Sequence, residues 1–237
     1  DNKYIAIIPA RGGSKGLKKK NIKIINGHPL IAYTIKAALE SNEISRVYVT
    51  TDDPKIASIS SKYGAEVIMR PENISKDNSK IIGALKHSIK LLRYKYNINV
   101  KNIVLLQPTS PIRNKNDLDK SIKKFEKSKS DMLFSSIKIN LCSWRKKRKK
   151  IEPLNFNNFF KRNMRQKSYE DFIENGSIYI FNLEFILKNS TRSRFKIETY
   201  LMKNYTLFEI DNIDEFNLIK AILVSNESIF KNLIKFR

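Results

Sequence analysis

The sequence repeats one pattern, in which a short apolar run is followed by a longer stretch with apolar residues at helical spacing. The runs are rich in Ile, Val and Tyr, which are typical of strands. Strands that alternate with helices predict an α/β fold whose doubly wound sheet is mostly parallel. We expect strands at residues 4–8, 46–51, 65–69, 102–106, 132–137 and 207–211, and one more at residues 178–181 after a turn at Asn175 and Gly176. Helices are expected at residues 29–41, 54–63, 81–96, 115–127 and after 212.

The first predicted strand breaks at Pro9 and leads into a basic, glycine-rich loop. Gly12, Gly13 and Gly16 have five cations around them, Arg11, Lys15, Lys18, Lys19 and Lys20. Glycines let backbone N–H groups approach an anion closely, and this many cations suit a polyphosphate. The spacing is neither GxxxxGK[ST] nor GxGxxG, so neither a P-loop NTPase nor a Rossmann dehydrogenase is indicated. A solvated surface turn is the alternative, but ligands of open α/β sheets bind at this end of the strands.

Two acidic residues follow near the far end of the chain. In the predicted last strand, Glu209 and Asp211 are two residues apart and therefore share one face. Carboxylates beside phosphate oxygens are the ligands that Mg²⁺ prefers, which predicts a magnesium site. Helix capping is the alternative, because Asn212 and Glu215 have the spacing of a capping box. We assign Asn212 and Glu215 to the cap and Asp211 to the metal.

The amino-acid composition excludes only a few classes of protein function. The chain has 46 Lys and Arg against 23 Asp and Glu, a net charge of +23 that would suit a nucleic-acid partner. Lysine is abundant along the whole chain together with Ile and Asn, and no zinc-finger or RNP pattern accompanies it. One cysteine and two distant histidines exclude an internal disulfide and a zinc cluster. We expect a cytoplasmic protein, since no leader and no apolar run of about 18 residues is seen.

Three stretches carry a resemblance to a known family. The runs IIPARGGSKGLKKKNI, QPTSPIR and NGSIYIF occur in this order and start at residues 7, 107 and 175. They resemble the N-acylneuraminate (CMP-sialic acid) cytidylyltransferases and their relatives for legionaminic and pseudaminic acids. The resemblance implies a Rossmann-like nucleotidyltransferase fold with one domain over residues 1–237. It also implies an inserted dimerisation arm at residues 140–167 and a homodimer.

The implied reaction joins CTP and a nonulosonic acid to give a CMP-sugar and pyrophosphate, with Mg²⁺ as cofactor. Arg11, Lys20 and Asp211 are the implied catalytic residues, and Glu209 and Asp211 the metal ligands. The implied nucleotide contacts are Ala10, Arg11, Gly12, Gly13, Ser14, Lys15, Lys20, Asn21, Arg70, Asp77 and Ser79. The implied sugar contacts are Gln107, Arg165, Asn175 and Tyr179.

Several alternatives stay open at this point. Asp77 and Ser79 fit helix capping as well as base contact, Asp53 is expected to cap a helix, and Asp52 either caps it or faces the nucleotide. Ile173 replaces an arginine seen in sialic-acid enzymes, which leaves neuraminate against legionaminate open. Other readings are activation of an eight-carbon keto-deoxy acid, a basic nucleic-acid-binding protein or an inactive scaffold.

Overall fold

The computed structural model describes residues 4–13, 16–75, 80–138, 142–154, 171–188 and 195–236. Within these residues a seven-stranded sheet is flanked by helices, and two short hairpins lie outside the sheet. The sheet strands are β1 (Tyr4–Pro9), β4 (Arg46–Thr51), β5 (Glu66–Met69), β6 (Asn102–Leu106), β7 (Met132–Lys138), β10 (Phe172–Asn182) and β11 (Ile197–Leu201). The hairpins are β2 (Ile24–Ile25) with β3 (His28–Pro29), and β8 (Trp144–Lys147) with β9 (Lys150–Pro153). The helices are α1 (Leu30–Leu39), α2 (Pro54–Lys62), α3 (Ile81–Lys90), α4 (Asp117–Ser128), α5 (Leu183–Lys188) and α6 (Ile213–Val224).

The sheet is mostly parallel and has the order β11-β7-β10-β6-β1-β4-β5. Strand β1 pairs in parallel with β4 on one side and with β6 on the other. Strand β10 is the antiparallel member, between β6 and β7. The chain thus adds β4 and β5 on one side of β1 and then β6 and the later strands on the other side. The carboxyl ends of β1 and β6 form the switch point at which such sheets bind ligands.

Helices cover both faces of the sheet, which confirms the doubly wound fold. On β1, Ala6 and Ile8 pack with α1, α2 and α4, whereas Ile5 and Ile7 pack on the other face with α3 and α5. Alternate residues of a strand point to opposite faces, so β1 is buried on both. A third apolar cluster joins α6 to the loop after β1.

Two local predictions are wrong. Residues 207–211 do not form a strand, because the backbone of Ile210 bonds to loops: its N–H donates to the Thr109 carbonyl at 2.9 Å and its carbonyl accepts from Lys20 Nζ at 2.6 Å. The strand in this part of the chain is β11, which pairs with β7. Asn175 and Gly176, expected in a turn before a strand, lie inside β10, where the register to β7 shifts between Glu174 and Tyr179.

Predicted helix ends are largely confirmed. Asp53 caps α2 by accepting the N–H groups of Lys55 and Ile56 at 2.7 and 3.1 Å. Asn212 and Glu215 form the expected capping box at α6. Pro29 differs slightly, because it is the N-cap of α1 rather than its first residue. Among the helices of the described ranges, none is both long and apolar enough to cross a membrane.

Candidate active site

The carboxyl ends of four parallel strands bring most of the predicted residues to one edge of the sheet. The loop of residues 10–21, called the basic loop below, follows β1. Asp52 follows β4, Arg70 follows β5 and Gln107 follows β6. Because β10 is antiparallel, its early residues Asn175–Ser177 reach the same edge beside β6. Parts that are far apart in sequence therefore meet where the fold favours a ligand.

The basic loop is held by hydrogen bonds from both of its ends. Ala10 donates its N–H to the Thr50 carbonyl at 3.0 Å, and its side chain is buried. The buried Asn21 side chain donates Nδ2 to the Arg11 carbonyl at 3.1 Å. Asn21 therefore shapes the loop in this structure, and its contact with a nucleotide stays a prediction.

Lys20 ties the basic loop to the segment of residues 207–211, called the acidic segment below. Its Nζ donates to the Ile210 carbonyl at 2.6 Å and to Asp211 Oδ1 at 3.0 Å. The Lys20 side chain is only 13% exposed, whereas that of Asp211 is 76% exposed. A cation and a carboxylate thus sit side by side, and the carboxylate faces solvent and any incoming ligand.

Gly16 brings the two segments into direct contact. A Cβ at position 16 would lie 2.1 Å from the Asp211 carbonyl oxygen, so no larger residue fits without a shift. The contact is flanked by two buried residues, Leu17 after Gly16 and Ile210 before Asp211. Both side chains belong to the apolar cluster that includes Phe216 and Ile219 of α6. Burial of these side chains, rather than a strand ladder, holds the acidic segment against the basic loop.

Glu209 lies against Gly176 of β10, beside the predicted sugar contacts. Its Oε1 is 1.9 Å from where a Gly176 Cβ would be, and Ser110 Oγ is 2.9 Å from the same point. Burial raises the pKa of Glu209, the Asp211 charge raises it further, and Lys20 opposes both. The two carboxylates therefore feel each other's charge, with Asp211 next to Lys20 of the basic loop and Glu209 next to Gly176 of β10.

The predicted sugar contacts differ in how they are placed. Gln107 is half-buried and its carbonyl accepts from Arg113. The Asn175 side chain is fully buried, with Oδ1 accepting from Ser135 Oγ at 2.6 Å and Nδ2 donating to Thr206 Oγ1 at 2.8 Å. Tyr179 donates its hydroxyl to Glu174 at 2.9 Å, and burial raises the pKa of that hydroxyl. Asn175 thus lies behind the open edge of the site.

Arg113 is a residue that sequence reasoning missed. It is fully buried, and it donates to Thr34 Oγ1 at 3.0 Å, to the Gln107 carbonyl at 3.1 Å and to the Ser177 carbonyl at 2.8 Å. Burial lowers the pKa of Arg113 to about 9, so it stays charged at neutral pH. The one sequence feature that could have indicated a role for Arg113 is that it is the last residue of the QPTSPIR motif. Arg113 joins β6 to β10 beneath the predicted sugar site.

Asp52 and Arg70 form the side of the site opposite the acidic segment. Asp52 Oδ1 accepts the Gly12 N–H at 3.1 Å and lies 3.7 Å from Arg70 Nη2. A Cβ on Gly12 would lie 2.6 Å from Asp53 Oδ2, so the glycine is required for this approach. Asp52 therefore faces the basic loop and does not cap α2.

Five predicted site residues lie outside the described residues, namely Ser14, Lys15, Asp77, Ser79 and Arg165. An open groove of about 1140 Å³ lies elsewhere, between α4 and the last residues of the chain. None of the predicted site residues in the described part of the chain lines that groove.

The family of the chain follows from a comparison with known sequence families. The family model described as "Cytidylyltransferase" matches residues 5–234. The chain belongs to the cytidylyltransferase family. This confirms the resemblance on which the sequence-based site was built.

Curated relatives of this chain include proteins named as cytidylyltransferases and synthases of acidic sugars. N-acylneuraminate cytidylyltransferase of Escherichia coli O18:K1:H7 is 32% identical over 228 residues, which are 93% of this chain and 52% of that protein. Post-translational flagellin modification protein B of Campylobacter coli is 28% identical over 94% of this chain and 95% of its own length. CMP-N,N'-diacetyllegionaminic acid synthase of Legionella pneumophila is 41% identical over 47% of this chain and 48% of its own length. The chain spans about half the length of the first relative, 52%.

Solved structures share the fold of this family member. CMP:2-keto-3-deoxy-manno-octonic acid synthetase complexed with CTP superposes with a TM-score of 0.68 at 16% identity, covering 93% of this chain and 98% of that chain. A cytidylyltransferase from Leptospira borgpetersenii superposes with a TM-score of 0.65 at 18% identity, covering 98% of this chain and 91% of that chain. These likenesses confirm a Rossmann-like α/β nucleotidyltransferase fold.

Proposed function

We propose that the protein activates a nonulosonic acid with CTP, releasing a CMP-sugar and pyrophosphate. The oxygen of the sugar's anomeric hydroxyl forms a bond to the α-phosphorus of CTP, the bond from that phosphorus to the bridging oxygen breaks, and the hydroxyl proton passes to water. The leaving group is pyrophosphate. This hypothesis combines the family of the chain with the residues gathered at the edge of its sheet.

The observation that carries the proposal is the contact between the basic loop and the acidic segment. Lys20 Nζ bonds to Asp211 Oδ1 at 3.0 Å, and Gly16 packs directly on the Asp211 backbone. Phosphoryl transfer needs cations on the phosphates and a carboxylate that can hold a metal beside them. Both occur here at the carboxyl end of β1, and we assign Arg11 and Lys20 to the triphosphate.

The donor set fits a hard divalent cation such as Mg²⁺. Asp211 offers an exposed carboxylate, and the charges of Asp211 and Glu209 are close enough to raise the pKa of Glu209. Mg²⁺ commonly takes one or two carboxylates and completes its shell with water and phosphate oxygens. Asp211, with Glu209 as second candidate, would hold it. When bound, the metal would neutralise charge on the phosphates and acidify the attacking hydroxyl.

The sugar would lie on the other side of the acidic segment. Ser110 and Ser177 lie at Gly176 there, and Gln107 follows the neighbouring strand β6. The hydroxyls of both serines are buried with no hydrogen-bond partner among the described residues. Unpaired buried hydroxyls are costly, which favours a hydroxyl-rich ligand as their partner. Asn175 would act by supporting this wall of the site, and Tyr179 stays a candidate contact.

We further propose that residues 140–167 form an arm of a single domain and make a homodimer. The described part of the arm is the β8–β9 hairpin, whose tip carries exposed Lys and Arg residues. Trp144 and Ile151 on this hairpin are 47% and 68% exposed. Apolar side chains exposed on a hairpin favour a covering surface.

The experiment that tests the function measures pyrophosphate released from CTP with Mg²⁺. The panel contains N-acetylneuraminate, legionaminic acid, pseudaminic acid and an eight-carbon keto-deoxy acid. We expect release with one nine-carbon acid, and little release when UTP replaces CTP. Release with the eight-carbon acid alone would replace the proposed substrate class. The nucleotidyltransferase proposal is wrong if no acid gives release and CTP does not bind, and salt-dependent DNA binding in that case would favour the nucleic-acid alternative.

A further inference from the structure

Asp52 joins the two halves of the nucleotide side of the site. Its Oδ1 accepts the Gly12 N–H at 3.1 Å and lies 3.7 Å from Arg70 Nη2. Gly12 belongs to the basic loop after β1, and Arg70 follows the edge strand β5. The Arg70 backbone is fixed in turn, because its N–H donates to the Thr51 carbonyl at 2.7 Å. One carboxylate thus sits between two segments expected to hold the nucleotide.

Arg70 is a desolvated cation, and two of its three side-chain nitrogens have no acceptor among the described residues. Its side chain is 7% exposed, and neither Nε nor Nη2 has a hydrogen-bond acceptor among the described residues. Burial lowers the pKa of Arg70, and the Asp52 charge opposes that effect. When a guanidinium pairs with a carboxylate, the pair is frequently bidentate, with two parallel N–H···O bonds. At 3.7 Å, Asp52 supplies charge without occupying the donors, which leaves them for a ligand.

A second ion pair joins β4 and β5 at their amino ends, and its geometry differs from that of the Asp52–Arg70 pair. Arg46 on β4 donates Nε and Nη2 to the two Glu66 oxygens on β5 at 2.8 and 3.0 Å. The Arg46–Glu66 pair is bidentate, and its side chains are 38% and 48% exposed. The Arg70–Asp52 pair at the carboxyl end has a longer contact of 3.7 Å, its arginine is buried, and it lies beside Gly12 of the basic loop.

We propose that Asp52 is a positioning residue for the nucleotide: it fixes the basic loop at Gly12 and holds Arg70 with its donors available. The inference rests on the proposed function, because the ligand of Arg70 is CTP. Asp52 does not touch the reacting atoms in this account. It acts on affinity through Arg70, so its removal changes nucleotide binding more than the rate of the bound complex.

The test measures CTP affinity by calorimetry, which needs no sugar. Asp52→Asn keeps an oxygen for the Gly12 N–H and removes the charge, and we expect about tenfold weaker CTP binding. Asp52→Glu, which restores the charge, should recover part of the loss. Glu66→Gln is the matched control and should change CTP affinity less than about twofold, since that pair is exposed. Asp52→Ser provides the same test if the Asn variant folds poorly.

A double variant shows whether Asp52 acts through Arg70. Adding Asp52→Asn to Arg70→Gln should weaken CTP binding no further, because the group that Asp52 holds is already gone. An unchanged CTP affinity of Asp52→Asn, or an equal additional loss in the Arg70→Gln background, would overturn the inference and leave the proposed function standing. Failure of the unaltered protein to bind CTP would overturn the proposed function, and this inference with it.

Discussion

Lys20 Nζ lies 3.0 Å from Asp211 Oδ1 and joins two segments that are 191 residues apart in the chain. The lysine is nearly buried, whereas the carboxylate is 76% exposed. The lysine therefore has little freedom to leave, and the carboxylate is the partner that a ligand can reach. A metal bound to Asp211 would sit next to the cation expected on the triphosphate.

Asp211→Asn should abolish most metal-dependent turnover. The amide keeps the size of the side chain but loses the charge that a divalent cation needs, so we expect pyrophosphate release to fall at least about 100-fold. The assay follows pyrophosphate release from CTP over a Mg²⁺ titration. Asp214→Asn is the control, because Asp214 is an exposed acid three residues away in the first turn of α6. Full activity of Asp211→Asn at saturating Mg²⁺ would contradict the role given to Asp211.

Gly176→Ala should lose activity beyond its loss of stability. Gly176 has φ +65, and Glu209 Oε1 occupies the space that a Cβ needs. Gly27 has φ +78 with nothing within 4 Å, so Gly27→Ala measures the backbone strain alone. We expect both variants to lose about 1 kcal/mol in urea unfolding. Only Gly176→Ala should also lower pyrophosphate release, since it displaces Glu209. Equal activity of the two variants would show that the position of Glu209 is unimportant.

The sequence predicted the parts of the fold that local patterns determine. Strand β1 and its basic loop follow from an apolar run that ends at Pro9, and the cap of α6 follows from the spacing of Asn212 and Glu215. The acidic segment was misread as a strand, since its apolar and acidic residues alternate like one. The acidic segment is held by bonds from Ile210 to Thr109 and Lys20 and by burial of the Ile210 side chain, and these partners lie far away in sequence. No local pattern carries that information.

The site shows the same division between local and distant causes. The carboxyl-end positions of Lys20 and Gln107 follow from the strand-helix rhythm alone. Arg113 was missed because an arginine in a polar turn is normally exposed. Its acceptors on Thr34 and Ser177 are 79 and 64 residues away. Asn175 fits the family motif, yet the fold buries its side chain behind the site, which only packing could reveal.

Arg113→Met should destabilise the fold. The variant has a similar volume but leaves the Gln107 and Ser177 carbonyls and the Thr34 hydroxyl without their donor. The variant no longer has the free-energy cost of burying a cation, but the cost of its unsatisfied buried acceptors is larger. We therefore expect the free energy of unfolding to be about 2 kcal/mol lower. Urea denaturation gives the value, with the exposed Arg93→Met as control. A free energy equal to that of the unaltered protein would show that desolvation of the guanidinium cancels its three bonds.

His87→Gln should make stability less sensitive to mild acid. Burial lowers the pKa of His87 below its ordinary value of 6.5, and the charges of Arg70 and Lys90 lower it further. Well above pH 6.5 the histidine is neutral in both the folded and the unfolded chain. As the pH falls below 6.5, the unfolded chain binds a proton before the folded one does, so stability is lost until the folded pKa is passed.

The measurement compares urea unfolding of the unaltered protein and His87→Gln at pH values from about 7.5 to about 5.5, around the ordinary histidine pKa. The free energy of unfolding should fall less steeply in the variant, because glutamine has no proton to bind. Other titrating groups are common to both proteins and cancel in the difference. Parallel curves would mean that His87 binds its proton equally well in both states, and hence that neither burial nor the charges of Arg70 and Lys90 lower its pKa in the folded protein.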